Sequence, residues 1–186
     1  MPGESAENAE LSFLGEITTS AAHDLNNVVS VIEQTAGLLE DLLLPEAEGA
    51  AVSKEQLENI VEKLNRQTRR GAAIIKRLKN LAHDAGEPGR EFDAAAALVT
   101  AAALSQRLAE RRKIVLDARL SEAPVAVRGS AFRFQQALYA ALRRMISGAP
   151  EGSTLTLRVE KSGDGAAVSV TGTPGAPLEK DEFRFP

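Results

Sequence analysis

The chain contains two histidines, His23 and His83, and no cysteine, which removes thiolate nucleophiles, thiolate metal sites and disulfides at the outset. His23 is placed two residues from Ala21 and two from Leu25, both members of an apolar helical stripe. At ~100° per residue the ring is turned about 200° from either neighbour, away from the buried side. A neutral imidazole standing in water mid-helix can serve as nucleophile or base near neutral pH. Asn27 lies one turn further on and shares the face of His23, whereas Asp24 is adjacent and reaches the ring only in a suitable rotamer. A carboxylate near one ring nitrogen fixes the tautomer and makes the other nitrogen the better nucleophile. A solvated surface histidine would leave the same trace in the sequence.

The other reactive side chains have simpler readings. His83, followed by Asp84, falls at the end of a predicted helix, where the macrodipole favours a cation. Arg66, Arg69 and Arg70 lie mid-helix and suit either an acidic partner or the acidic first helix of the same chain, and Arg143 and Arg144 suit a surface role or an anion. No His/carboxylate spacing typical of zinc is present, so no metal site is expected. Neither a Ser-His-Asp arrangement nor a glycine-rich phosphate loop is evident.

These residues need elements to hold them. Leu14, Ile17, Ala21, Leu25, Val28, Ile32, Ala36, Leu39 and Leu43 step by three or four, predicting one long helix over 11–44 that Pro45 ends. A loop over 46–52 leads to a Ser53-x-x-Gln56 capping box and a second helix with stripe Leu57, Ile60, Val61, Leu64, Thr68, Ile75, Leu78 and Leu81, stopping before Gly86-Glu87-Pro88-Gly89. Two wide stripes are more than one antiparallel hairpin can bury, so a homodimeric four-helix bundle is expected. Asp93 reads as the N-cap of an alanine-rich helix, 94 to about 110. Strands are predicted over Ile114–Leu120, around Val125 and Val127, over 154–159 and through Val168 and Val170, with a helix from Ser130 facing inward through Phe134, Leu138, Ala141, Leu142 and Met145. The order α-β-β-α-β-β describes a small α/β sandwich, with an irregular tail from Thr173. The fold class is therefore α+β: residues 1–10 a flexible N-terminus, 11–86 the helical hairpin, and 91–186 the α/β domain.

Composition narrows the class of function. At 186 residues, 44% hydrophobic and 26% charged, the chain is globular, and 4% aromatics without tryptophan supply few base-stacking platforms. The longest weakly charged apolar stretch, 94–108, is short of a membrane span, and the N-terminus carries Glu4, Glu7 and Glu10 without a basic residue, unlike a secretory signal. Neither nucleic acid nor membrane is expected as a partner, and a cytoplasmic location is. Residues 1–53 hold ten acidic and no Lys or Arg residues, while the remainder carries all 22 basic ones and 16 acidic, in keeping with an acidic helix beside a basic one.

The run His23-Asp24-Leu25-Asn26-Asn27-Val28-Val29-Ser30-Val31-Ile32 resembles the H box of bacterial two-component histidine kinases, in the variant with Asp after the histidine and paired Asn. Residues 11–84 look like the dimerisation and phosphoacceptor hairpin of that family. Residues 93–172 look like the front half of its ATP-binding domain, with Arg128-Gly129-Ser130 and Gln136-x-Leu138 where kinases often have Gly-Asp and Gln-x-Leu. The resemblance also marks departures. Two Asn that help hold Mg²⁺ and phosphates in the family are Ala140 and Arg144 here; the first offers no ligand and the second adds a cation where a metal ion should sit. The adenine-reading Asp-x-Gly-x-Gly is replaced by Thr171-Gly172-Thr173-Pro174-Gly175, and Pro186 comes before the lid and later phosphate-contacting segment.

A retained H box beside a lost nucleotide site is similar to the dimeric histidine phosphotransferases. The resemblance then implies His23 as phosphoacceptor between receiver-domain aspartates, Asp24 orienting or deprotonating the ring, and Asn27 holding a water for dephosphorylation. It implies no cofactor on this chain, Mg²⁺ in the partner receiver, and response-regulator receivers, with a sensor histidine kinase as a further partner. Val28, where many kinases have proline, leaves the helix straighter. The alternatives are a pseudo-histidine kinase scaffold that binds a kinase or response regulator without carrying phosphate, and a weak ATP-dependent kinase using an unrecognised pocket.

Overall fold

The computed structural model describes residues 2–43, 52–86, 89–119, 123–172 and 181–185. Pro45 and most of its loop, Glu87-Pro88, Leu120, Thr173-Pro174-Gly175 and Pro186 fall outside them. In chain order the elements are α1 (Pro2–Leu42), α2 (Lys54–Gly86), β1 (Arg90–Asp93), α3 (Ala94–Arg111), β2 (Val115–Arg119), β3 (Ala126–Gly129), α4 (Ala131–Gly148), β4 (Thr154–Ser162), β5 (Gly165–Gly172) and β6 (Asp181–Phe185). The fold is α+β. Two compact units divide it, one formed by Leu14–Lys79 and the other by residues 1–13 with 80–186.

The first unit is the helical pair. Ser53 and Gln56 form the reciprocal cap: the Ser53 N–H donates to Gln56 Oε1 at 2.8 Å and the Gln56 N–H donates to Ser53 Oγ at 3.1 Å. Two orphan donors are thereby satisfied, which fixes the start of α2. Ile17, Ala21, Val28 and Thr35 are buried on α1, and Ile60 and Ile74 on α2. Ala21, Val28 and Ile74 form one cluster, with Leu25, Ile32 and Leu78 packed against it. Burial of each large aliphatic side chain there contributes roughly 1.5–3 kcal/mol. Thr35 is the buried polar exception, and its hydroxyl donates to the Val31 carbonyl at 2.6 Å. The second stripe departs from the expected pattern. Leu57, Val61 and Ile75 are 40%, 56% and 58% exposed, because one partner helix covers only the narrower seam through Ile60, Gly71 and Ile74.

The second unit is built on a four-stranded sheet of order β2-β4-β5-β6, in which β2 and β4 run parallel and the other pairs antiparallel. A separate antiparallel pair joins β1 to β3. Leu155, Leu157, Val168 and Val170 share one core with Leu98 of α3 and Leu138 and Leu142 of α4. The alanines of α3 explain its close fit: Ala94, Ala97, Ala101 and Ala109 are buried, and side chains that small let a helix lie flat on its neighbours. Asp93 Oδ1 accepts from the Ala95 N–H and from the Val125 N–H, both at 3.0 Å, so one carboxylate caps α3 and ties it to the chain leading into β3. Ser130 caps α4 by accepting from the Arg133 N–H. In the same unit the start of α1 and the end of α2 meet α4. Phe13 packs against Phe132 and Tyr139 with ring centroids 5.6 and 5.2 Å apart, and Arg133 pairs with Glu10 at 3.3 Å.

Three expectations are corrected. The first helix begins at Pro2 rather than Leu11; proline at the first helical position loses no hydrogen bond, and residues 2–10 contain no β-branched side chain to oppose the helix. A strand, β1, precedes α3; its one apolar residue, Phe92, gave no alternation, and pairing with β3 defines it. The tail is not irregular throughout, since residues 181–185 form β6 against β5.

Candidate functional site

His23 sits near the middle of α1 with its side chain 53% exposed. The helix presents it because the buried residues Ala21 and Val28 lie on the other side. The positions one turn before and after it are Thr19, Ser20, Asn26 and Asn27, all short, so no bulky side chain from α1 overhangs the ring. Asn27 Nδ2 donates to His23 Nδ1 at 3.1 Å across one helical turn. Asp24, 27% exposed, places Oδ1 4.0 Å from the same Nδ1, within ion-pair range but beyond a hydrogen bond. Among the described residues Nε2 has no hydrogen-bond partner. The three expected site residues are therefore together, with their order changed: Asn27 touches the ring and Asp24 stands off.

The remaining candidates lie elsewhere. His83 and Asp84 line a small hollow of about 90 Å³ with Arg90, Glu91, Phe92, Gly129 and Ala131, a lining of both signs that selects neither anion nor cation. Asp84 accepts from Gln135 Nε2 at 2.9 Å. Gln135 is itself buried and its Oε1 has no partner. Sequence reasoning passed over this contact. The signal was a second face of α4, Phe132-Gln135-Tyr139, three and four residues apart. Arg66 and Arg69 line a groove of about 590 Å³ along α2 whose apolar floor is Leu57 and Val61. Arg66 also pairs with Glu62 at 3.9 Å. Arg143 and Arg144 are exposed on α4 and engaged in interactions, and Ala140 is exposed on the same helix. Among the described residues no three acidic or histidine side chains converge as metal ligands, and no helix is long and apolar enough to cross a membrane.

No family model and no curated protein matches the sequence. Solved structures similar to the chain include the nucleotide-free catalytic domain of the histidine kinase ThkA, 18% identical over 50% of this chain and 62% of that one, TM-score 0.44. ThkA in complex with the response regulator TrrA is 18% identical over 91% of this chain and 48% of that one, TM-score 0.43. A bacterial phosphotransferase is 17% identical over 86% of this chain and 66% of that one, TM-score 0.48. This chain thus spans about three fifths of the ThkA catalytic domain, 62% of its length.

Proposed function

We propose that this protein is a histidine phosphotransferase of a two-component phosphorelay, accepting and donating a phosphoryl group at His23 without using ATP. The observation that carries the reading is the His23 ring itself: exposed on a long helix, anchored through Nδ1, and open at Nε2. An acyl phosphate on a receiver aspartate approaches the open nitrogen in line. In the tautomer that carries its proton on Nδ1, the Nε2 lone pair forms the P–N bond while the P–O bond to the aspartyl group breaks, and the carboxylate leaves with that electron pair. Catalysis of such a transfer is mainly positioning and charge neutralisation, so a site divided between two proteins suffices. Charge on the transferring oxygens is neutralised by Mg²⁺ that the receiver brings. Asp24 Oδ1 stands 4.0 Å from Nδ1, the nitrogen that bears the ring proton after attack.

Ala140 and Arg144 support the absence of ATP chemistry, since neither side chain can coordinate the Mg²⁺ of a metal–nucleotide complex. The working form is a homodimer. Leu57, Val61 and Ile75 follow one line along α2, and a second copy bringing the same line closes a four-helix bundle.

The test is label transfer from phosphorylated receiver domains to the wild-type chain and to His23→Ala. Label should appear on the wild type and not on the variant. Survival of transfer in His23→Ala would end the assignment, and receiver binding with no label on the wild type would make the chain a docking scaffold. Incubation with labelled ATP and Mg²⁺ should leave the protein unlabelled.

A further inference from the structure

We infer that Asn27, rather than Asp24, positions the His23 ring, and that its amide does so by supporting either tautomer; the inference rests on the phosphoacceptor reading above. Two distances carry it. Asn27 Nδ2 is 3.1 Å from Nδ1, a hydrogen bond, whereas Asp24 Oδ1 is 4.0 Å away, which is not one. In the observed arrangement the amide N–H donates into the Nδ1 lone pair, so a neutral ring carries its proton on Nε2. That tautomer is a resting form, because its outward nitrogen has no lone pair free to attack phosphorus.

A half-turn of the Asn27 amide converts the site. The amide oxygen then occupies the place of the nitrogen and accepts from Nδ1–H, which leaves the Nε2 lone pair free. The terminal torsion of asparagine is broad and roughly two-fold, and Asn27 is exposed, so no packing opposes the turn. A carboxylate lacks this property, since it accepts and never donates. During transfer Nε2 gains the phosphoryl group, the receiver carboxylate leaves with the electron pair of the broken P–O bond, and Nδ1 keeps its proton against Asn27 Oδ1. Return of the group to a second receiver reverses the same bonds. Asn27 is thus a positioning residue acting through His23.

The experiment reads the tautomer directly. Nitrogen-15 NMR of the unphosphorylated chain with its imidazole neutral should show the proton on Nε2 in the wild type and on Nδ1 in Asn27→Asp. Asp24→Asn should leave the wild-type pattern in place. In receiver assays Asn27→Leu should slow transfer by about tenfold or more at unchanged helical content, and Asn27→Asp should recover most of that loss. Identical ring shifts in the wild type and Asn27→Asp, a tautomer change caused by Asp24→Asn, or wild-type transfer by Asn27→Leu would each overturn the inference. The spectra need no partner. If they behave as stated while no receiver ever labels the chain, the relay reading fails and ring positioning by Asn27 stands. If label passes normally through Asn27→Leu, the relay stands and the positioning role is lost.

Discussion

Gly71 faces Val28 across the helical pair with space for one methyl group and little more: a Cβ placed on Gly71 would lie 3.4 Å from Val28 Cγ1 and 4.0 Å from Leu25 Cδ2. A residue no larger than alanine at this position lets α1 and α2 close over the turn that follows His23. Gly71→Ala should raise the stability of the folded chain by up to ~1 kcal/mol, the helix-propensity gain, since the new methyl makes ordinary contact. Gly71→Leu should lower it by roughly 1–3 kcal/mol, because the larger side chain must push the helices apart. Urea unfolding followed by circular dichroism distinguishes the two, and equal effects would show that the approach of the helices at this point is not tight.

Asp93 joins two backbone segments through one oxygen, accepting from Ala95 and Val125. Asp93→Ala should destabilise the α/β unit by about 2–3 kcal/mol, a lost helix cap plus an orphaned N–H. Asp93→Asn keeps a carbonyl acceptor and should cost about 1 kcal/mol or less. Chemical denaturation measures both, and equal losses would mean that the acceptor geometry is unimportant.

Ile75 is 58% exposed in line with Leu57 and Val61. A glutamate there places a charge on the surface that a second copy would cover in the proposed dimer. Ile75→Glu should convert a dimer to a monomer in sedimentation velocity while leaving helical content nearly unchanged. A wild-type chain that sediments as a monomer at micromolar concentration would remove the dimer from the proposal.

Much of this architecture was readable because its cues are local. The capping box at Ser53, the Asp93 cap and the alternation of Leu155, Leu157 and Val159 each specify their element within a few residues, and all three are observed. What escaped was decided at a distance. Phe92 forms part of a strand only because Val127 lies opposite, and β6 exists only because β5 offers an edge. At the site, the exposure of His23 followed from helical phase alone, whereas the contact of Asn27 rather than Asp24 with the ring is a matter of rotamers. Adjacent residues on a helix diverge by ~100°, and residues four apart converge, so the nearer neighbour in sequence was the poorer candidate for contact.

The short side chains around His23 bear on speed as well as access. With Thr19, Ser20, Asn26 and Asn27 forming a low shoulder, α1 itself would not confine a receiver in the proposed relay to a single line of approach to the imidazole. Orientational restriction is a large part of what slows encounter between two proteins below the diffusion limit. In the proposed relay, a shoulder this low would relax that restriction alike for a donor and for a recipient of different shape, so one histidine would serve both without remodelling of α1 between them.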